Sequence, residues 1–289
     1  MPQEGSRLEK KISIQEALLL WTQLQSETAR LDVECLLCHS IDCDSTYLRT
    51  WPERILTSEQ YDHFQTLLAR RIKGEPIAHI CGTRSFWTLD LLVTPDTLIP
   101  RPDTEVLVET ILNLDLPKQA NILDLGTGTG AIALALASER SMWKVSATDF
   151  RTEVVSLAQR NADKYQVTNV EIFQSDWFSD IPESRFDLIV SNPPYIDPED
   201  KHLAEGDVRF EPLSALTAGN KGLDDIEHII DQAPKFLNQA GWLVLEHGYD
   251  QAHATQALFK QAGYCNIETV QDYGQQDRMT MAQYQSVMI

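Results

Sequence analysis

The residues that could do chemistry most directly form the sequence Asn192-Pro193-Pro194-Tyr195, which follows an apolar run at residues 186–190. Two consecutive prolines fix φ and remove two backbone donors, so a strand that reaches them must end there. The Asn192 side-chain oxygen and a proline carbonyl then remain as acceptors at a rigid edge. Because an NH2 group presents two hydrogens, such a pair could hold a planar amide or amine. The pattern predicts a site that orients an NH2 group.

A second candidate is the run Asp124-Leu125-Gly126-Thr127-Gly128-Thr129-Gly130, between a predicted strand and a predicted helix. Glycines let a ligand approach the backbone, and a helix N-terminus favours negative charge. Gly126, Gly128 and Ala131 fit the dinucleotide fingerprint, and Asp149 follows at a distance suited to a ribose. The run equally resembles the S-adenosylmethionine loop of Rossmann-like methyltransferases. The glycines alone do not decide, and they also fit a plain strand-to-helix turn.

Asp176 and Trp177 follow the third predicted strand of this region and offer a carboxylate and an aromatic face for an adenine. A tryptophan at this place could equally belong to the core. Asn192 and the two prolines after it distinguish between the two candidate cofactors, a dinucleotide and S-adenosylmethionine. A dehydrogenase has no evident use for them, whereas methyl transfer to an NH2 group does. We therefore expect S-adenosylmethionine as the methyl donor.

The elements that must position these residues alternate between strand and helix from residue 121 onward. This alternation predicts a doubly wound, Rossmann-like α/β sheet, parallel with an antiparallel edge, in which ligands bind at the carboxyl ends of the strands. Strands are predicted at residues 121–125, 144–148, 170–175, 186–191, 241–246, 265–270 and 279–285, and helices at residues 104–114, 131–140, 152–165, 224–239 and 251–261.

Residues 1–74 predict a small helical-bundle domain. Ser13 with Glu16 and Thr57 with Gln60 have the spacing of capping boxes, each before an apolar helical pattern. The segment 75–100 has short β-prone pieces and predicts a hairpin linker, which leaves residues 101–289 as the methyltransferase domain. A helical stripe between the two capping boxes is formed by Ala29, Val33, Leu36 and Leu37.

The 289 residues carry a formal net charge of −19, and this charge is unevenly distributed. Residues 1–90 hold 10 basic and 13 acidic side chains, whereas residues 91–289 hold 14 basic and 30 acidic ones. Such an acidic surface repels phosphate backbones and attracts basic partners, although solubility alone would also explain it. We therefore expect no direct binding to nucleic acid.

The N-terminus is polar without a following apolar segment, and the apolar runs are too short to span a bilayer. Five cysteines, an odd number, fit a reducing compartment. We expect a cytoplasmic protein that does not bind membranes. The sequence Cys35-Leu36-Leu37-Cys38-His39 has the spacing of a haem attachment or half a zinc site. A second ligand pair is lacking, so ordinary cysteines on a helix face are favoured and no metal is expected.

In combination, the four motifs resemble class I methyltransferases that modify a planar nitrogen, either adenine N6 or glutamine N5. Within this group the chain resembles the bacterial peptide chain release factor N5-glutamine methyltransferases, over about residues 13–285 and in the same order. Asp103, where Glu is also common, and His247 are mild variations. The additional matching pieces are Glu75-Pro76, His79-Ile80, Gly82, residues 99–105, Gly222-Leu223-Asp224, Glu246-His247-Gly248, Asp272-Tyr273-Gly274 and Arg278.

The resemblance implies methylation of the glutamine in the Gly-Gly-Gln loop of a release factor, with the helical domain helping to dock that partner. Asn192 and Pro193 would accept the amide hydrogens, and Tyr195 would pack against the glutamine side chain. Gly126 to Gly130 would face the methionine part of the donor, Asp149 the ribose, and Asp176 with Trp177 the adenine.

Two other substrates remain as alternatives. A sister class acts on a ribosomal-protein glutamine and would share the site, although Arg101-Pro102-Asp103-Thr104-Glu105 resembles the release-factor group more. An adenine-N6 methyltransferase of DNA or RNA is disfavoured by the acidic balance of residues 91–289, and by the lack of a basic, aromatic-interleaved recognition segment.

Overall fold

The computed structural model describes residues 12–285, in two compact units that divide between Gly82 and Thr83. The first unit is helical. Its elements are α1 (Ile14–Leu18), a 3₁₀ turn (Leu19–Gln23), α2 (Ala29–Ile41), α3 (Ser45–Thr50), α4 (Ser58–Ile72) and α5 (Ile77–Cys81).

Both predicted capping boxes are present. The Ser13 hydroxyl accepts from the Glu16 backbone N–H at 3.2 Å while the Glu16 carboxylate accepts from the Ser13 N–H at 2.8 Å. Thr57 and Gln60 make the equivalent pair of bonds at the start of α4. Each cap satisfies backbone donors that a helix leaves open at its first turn. The predicted stripe of α2 is confirmed as buried, at Ala29, Val33, Leu36 and Leu37.

Residues 75–82 differ from the prediction of a β-prone linker, because they form α5 and belong to the first unit. Pro76 precedes the helix, where a missing N–H costs nothing, and Gly82 ends it in the left-handed conformation with φ +75°. Within residues 12–285, strands form only after this glycine, from Thr83 onward. The apolar side chains of the helical unit pack into one cluster that includes Ile14, Val33, Leu36, Leu48, Phe64, Leu68 and Ile80.

The second unit opens with a hairpin of β1 (Thr83–Phe86) and β2 (Leu89–Leu92), which turns at Trp87 with φ +56°. Its remaining strands are β3 (Asn121–Leu125), β4 (Lys144–Asp149), β5 (Val170–Gln174), β6 (Phe186–Ser191), β7 (Leu237–Glu246), β8 (Cys265–Gln271) and β9 (Asp277–Gln283). Its helices are α6 (Glu105–Asn113), α7 (Ala131–Glu139), α8 (Thr152–Tyr165), the single turn α9 (Gly219–Gly222), α10 (Asp224–Gln232) and α11 (Ala252–Gln261).

Strands β3 to β9 form one sheet in the order β5-β4-β3-β6-β7-β9-β8. All neighbours are parallel except β9, which is antiparallel to both β7 and β8. The antiparallel pairs therefore lie at one edge of the sheet, as predicted, and the reversed strand β9 lies one place inside that edge. The reason is local: a short turn joins β8 to β9, and a short turn can only join antiparallel strands.

The strands are apolar on both faces because helices cover both sides of the sheet. Ile122 and Leu188 face one cluster, whereas their neighbours Leu123 and Ile189 face the other. Successive side chains of a strand point to opposite faces, so a continuous apolar run signals burial on both. This confirms the predicted doubly wound architecture.

One predicted boundary is wrong in the second unit. The helix predicted over residues 224–239 ends at Gln232, a 3₁₀ turn spans Ala233–Lys235, and β7 already begins at Leu237. Pro234 explains the early end, because its ring and missing N–H do not allow α10 to continue.

Candidate active site

A cavity of about 280 Å³ lies at the carboxyl ends of β3, β4 and β6, within the second unit. From β3 the chain continues to β4 on one side of the sheet, whereas from β6 it continues to β7 on the other side. Open α/β sheets bind ligands at such a switch point in strand order. Most of the predicted site residues line this cavity: Gly126, Thr127, Gly128, Thr129, Asp149, Asp176, Trp177, Asn192 and Pro194. The other predicted site residues are their neighbours in the sequence and do not line it: Asp124, Gly130, Pro193 and Tyr195.

The turn after β3 requires glycine. Gly126 and Gly128 have φ of +67° and +57°, a region that residues with a Cβ adopt only under strain. A Cβ on Gly128 would meet no protein atom within 4 Å, because this position faces open space. The backbone of the turn is therefore directly accessible from the cavity.

Asp124 supports this turn from behind. It is fully buried, and its Oδ2 accepts from the Thr127 hydroxyl at 2.6 Å and from the Ala133 N–H at 3.2 Å. Burial raises the pKa of Asp124 to about 7, and the two hydrogen bonds oppose that rise. Its Oδ1 has no hydrogen-bond partner among residues 12–285. Asp124 thus fixes the turn from behind.

Asp149, at the end of β4, joins the same turn from the side. One carboxylate oxygen accepts from the Gly128 N–H and the other from the Arg151 N–H, both at 3.2 Å. Burial raises the pKa of Asp149, and these hydrogen bonds oppose the rise. Its position at the cavity suits the hydroxyls of a ribose.

Two aromatic side chains line the cavity near these carboxylates. Trp177 has φ +48°, and its ring would lie 3.6 Å from a Cβ placed on Gly126. Phe150 is 52% exposed although it lies next to buried Asp149. Aromatic faces of this kind suit a planar heterocycle. The sequence singled out Trp177 but missed Phe150, whose position directly after Asp149 was the available signal.

Asn192 reaches the cavity from the end of β6. Its Nδ2 donates to the Thr104 hydroxyl at 3.4 Å, which leaves Oδ1 as the acceptor available to a ligand. Thr104 and Pro194 line the cavity beside it. The strand end is anchored to β3, because the Ser191 hydroxyl donates to the Leu125 carbonyl at 2.7 Å.

The backbone that follows Asn192 is held by residues from distant parts of the chain. The Gln251 side-chain NH2 donates to the Tyr195 carbonyl at 2.9 Å and to the Lys221 carbonyl at 3.0 Å. A Cβ on Gly222 would lie 1.9 Å from the Tyr195 carbonyl oxygen, so only glycine allows this approach. Sequence reasoning missed Gln251, which no local pattern marks.

The Tyr195 side chain lies in a polar network behind the cavity. Its hydroxyl donates to Glu246 at 3.3 Å, and burial raises the pKa of both groups, that of Glu246 to about 7. Arg278 lies near both and pairs with Asp272 at 2.9 Å. The pieces around Glu246, Asp272 and Arg278 that the sequence related to one family thus meet in one network.

The loop between β2 and α6 closes one side of the cavity. Arg101 pairs at 2.7 Å with Glu211, whose pKa burial raises to about 7 despite the nearby guanidinium. Asp96 in the same loop pairs with Arg151 at 3.1 Å. Both ion pairs join segments far apart in sequence, and both were missed for that reason.

The lining fits S-adenosylmethionine. The accessible glycine backbone, the Asp149 carboxylate and the aromatic rings of Trp177 and Phe150 lie around one cavity, together with the acidic side chains of Asp176 and Asp225. Four aspartates line the cavity against Arg101 and Arg151, and this negative balance favours a cationic ligand such as a sulfonium. These features are harder to reconcile with the negatively charged pyrophosphate of a dinucleotide.

Four of the five cysteines belong to the first unit, and Cys265 belongs to the second. Cys35, Cys38 and Cys43 are half-buried and form no disulfide, and burial raises the pKa of the Cys38 thiol to about 12. Within the described range, no cluster of three or more His, Cys, Asp or Glu side chains could hold a metal ion. Over the same range, no helix is long and apolar enough to cross a membrane.

The reversed β9, the glycine turn after β3 and the Asn-Pro-Pro-Tyr end of β6 define a class I methyltransferase. A solved methyltransferase from Pyrococcus furiosus has the same fold, with a TM-score of 0.55 and 20% identity over 77% of this chain and 100% of its own. The family model named PrmC N-terminal domain matches residues 14–82, and the one named Methyltransferase small domain matches residues 102–207.

Curated relatives narrow the class to one family. A protein named release factor glutamine methyltransferase from Escherichia coli K12 is 53% identical over 91% of this chain and 95% of its own. Proteins of the same name from Shewanella oneidensis and Pseudomonas aeruginosa are 50% and 53% identical, over 93% and 90% of this chain and 96% and 94% of theirs. The chain belongs to the release factor glutamine methyltransferase family.

Proposed function

We propose that this protein transfers the methyl group of S-adenosylmethionine to the side-chain amide nitrogen, N5, of the glutamine in the Gly-Gly-Gln motif of peptide chain release factors. The observation that carries the proposal is that Asn192 and the glycine turn at Gly126 and Gly128 line one cavity. The family of the chain supports the same activity. The donor and acceptor sites are therefore adjacent, as a direct transfer requires.

The donor supplies a methyl group already activated by a sulfonium. The chain has to bind and orient it: the backbone at Gly126 to Gly130 faces the methionine part, and Asp149 binds the ribose hydroxyls. Asp176, Trp177 and Phe150 surround the adenine. All of these except Gly130 line the cavity.

The acceptor requires orientation more than activation by a base. An amide nitrogen is a poor nucleophile because its lone pair is delocalised into the carbonyl. The Oδ1 of Asn192, which lines the cavity, accepts one amide hydrogen and aims the nitrogen at the methyl. Acceptance of the second hydrogen by the Pro193 carbonyl stays a prediction, because Pro193 does not line the cavity. Positioning of this kind contributes up to about 7–11 kcal/mol. Acceptors of this kind favour the positive charge that develops on nitrogen as the carbon–sulfur bond of the donor breaks. S-adenosylhomocysteine leaves, and the methylated nitrogen gives up one proton to water. The contact of Tyr195 with the glutamine side chain stays a prediction.

The helical unit would then serve to dock the release factor, and the reaction would take place in the cytoplasm. The second candidate substrate is a ribosomal-protein glutamine, which would use the same cavity. Binding to DNA or RNA is disfavoured by the 30 acidic against 14 basic side chains of residues 91–289.

The test is an incubation with methyl-labelled S-adenosylmethionine and four separate acceptors: a release factor, its Gln→Ala variant in the Gly-Gly-Gln loop, a ribosomal protein fraction, and duplex DNA. We expect label on the unmodified release factor alone. Label on DNA, or equal label on both release factors, would reject the proposed substrate.

A further inference from the structure

Three polar side chains form a chain of contacts that leads away from the cavity. Asn192 Nδ2 donates to the Thr104 hydroxyl at 3.4 Å, and that hydroxyl lies beside the Glu246 carboxylate, where it favours the ionised form. Thr104 and Glu246 are 4% and 2% exposed. In such a row of side chains, the group that can only accept hydrogen bonds determines which neighbour donates to which.

The direction follows from Glu246. Its Oε1 accepts from the Tyr195 hydroxyl at 3.3 Å, whereas its buried Oε2 accepts no hydrogen bond from the described residues. Leaving a buried carboxylate oxygen without a donor is costly, so the single proton of the adjacent Thr104 hydroxyl is best used on Glu246. Thr104 can then only accept from Asn192. The amide of Asn192 is thereby held with Nδ2 inward.

This orientation matters because an asparagine amide has two nearly isosteric orientations with opposite chemistry. With Nδ2 on Thr104, Oδ1 is presented as an acceptor. In the reversed orientation, an NH2 would oppose the NH2 of the substrate. We infer that Thr104 and Glu246 are positioning residues, which select the orientation of the Asn192 amide that accepts from the substrate. The inference rests on the proposed function of Asn192.

The charge of Glu246 is the controlling feature. Burial raises its pKa, Asp103 raises it further, and Arg278, Thr104 and Tyr195 lower it, with a balance at about 7. A protonated Glu246 can donate to Thr104, and Thr104 would then donate to Asn192 Oδ1 and favour the reversed amide. Transfer should therefore rise with pH through about 7 when the donor is saturating.

Four variants test this relay in the full-length protein. In Glu246→Gln the new NH2 can donate to Thr104, so we expect a loss in kcat of about tenfold, as for one misdirected hydrogen bond of about 1.4 kcal/mol. Thr104→Val removes the relay and should lower kcat by a similar factor, and Thr104→Ser should restore most of it. Adding Glu246→Gln to Thr104→Val should then cause no further loss, because its effect passes through Thr104.

The matched control is Glu109→Gln, which changes an exposed glutamate that also accepts from a tyrosine hydroxyl, that of Tyr273 at 3.1 Å. It should transfer methyl groups as the unmodified protein does. All rates are measured per donor-binding site, by titration with S-adenosylmethionine, which separates misfolding from misorientation. The rise in kcat through about pH 7 should be present in the control and absent from Glu246→Gln and Thr104→Val.

Full additivity of the Thr104→Val and Glu246→Gln effects, or an unchanged rise with pH in Glu246→Gln, would overturn the inference. So would normal kcat in Thr104→Val. If the unmodified protein does not methylate a release factor at all, the proposed function fails instead, and the two failures are thus distinguished.

Discussion

The two walls of the cavity are built in different ways. The donor wall, formed by Gly126, Gly128, Asp149 and Trp177, presents backbone that only glycine can supply. The acceptor wall, formed by Thr104, Asn192 and Pro194, presents a side-chain amide whose orientation depends on a buried network. Under the proposed function, the donor is held mainly by shape, whereas the acceptor is held by the direction of its hydrogen bonds. Substitutions on the donor wall should therefore lower the affinity for S-adenosylmethionine, whereas substitutions on the acceptor wall should lower the rate of methyl transfer.

The largest effect is expected on the acceptor wall. Asn192→Ala removes the side-chain acceptor and should lower methyl transfer by about 10²–10³-fold, the range found when one preorganised polar group is lost. Its affinity for S-adenosylmethionine, measured by titration calorimetry, should stay close to that of the unmodified protein. Asn113→Ala, an exposed change at the end of α6, is the matched control. Normal turnover in Asn192→Ala would contradict the role of this wall.

A glycine substitution on the donor wall should weaken donor binding, which Asn192→Ala should leave unchanged. Gly128→Ala and Gly82→Ala both place a Cβ where no protein atom lies within 4 Å, at φ +57° and +75°. Each should lose about 1–2 kcal/mol in the free energy of unfolding, from left-handed strain alone. Only Gly128→Ala should also weaken donor binding, by about tenfold or more, since its methyl group enters the cavity. Equal donor affinity in both variants would show that the backbone of the turn does not contact the donor.

The buried carboxyl of Asp124, which supports the donor wall, makes the free energy of unfolding depend on pH. An unfolded aspartate ionises near pH 4, whereas the buried carboxyl has a pKa of about 7. Between these values the folded chain keeps a proton that the unfolded chain has lost, so the free energy of unfolding falls as the pH rises from about 4 to 7. Asp124→Asn cannot titrate, and denaturant unfolding at several pH values should show a shallower fall. Parallel curves for the two proteins would contradict the buried, protonated state.

The smallest effect is expected at Asp176, which is exposed at the rim of the donor wall. Asp176→Ala should weaken donor binding by no more than about fivefold, the net worth of one hydrogen bond of about 1 kcal/mol. Transfer at saturating donor should be unaffected. A larger loss of affinity than in Gly128→Ala would mean that side chains, and not backbone, dominate the donor wall.

The sequence could predict the donor wall because its signals are local. A left-handed glycine turn between a strand and a helix is encoded within seven residues, and the prolines that end β6 mark the position of Asn192 in the same way. The alternation of apolar strands and amphipathic helices similarly predicted the fold class, since both faces of the sheet are buried.

The rest of the site depends on tertiary contacts that no local pattern contains. Thr104 and Asn192 are separated by 88 positions, Gln251 and Tyr195 by 56, and Arg101 and Glu211 by 110. Their pairing is set by the order of strands in the sheet. The same limit explains why the sequence predicted an antiparallel edge without identifying β9 as the reversed strand, and why the buried network behind Asn192 became visible only in the folded chain.

The most direct test of the account is the location of the transferred methyl group. A release factor is incubated with the protein and isotopically labelled S-adenosylmethionine, digested, and sequenced by tandem mass spectrometry. The account predicts one labelled methyl group on the side-chain nitrogen of the glutamine in the Gly-Gly-Gln loop, and none after reaction with Asn192→Ala under the same conditions. A methyl group on another residue, or an equally labelled glutamine after reaction with Asn192→Ala, would contradict it.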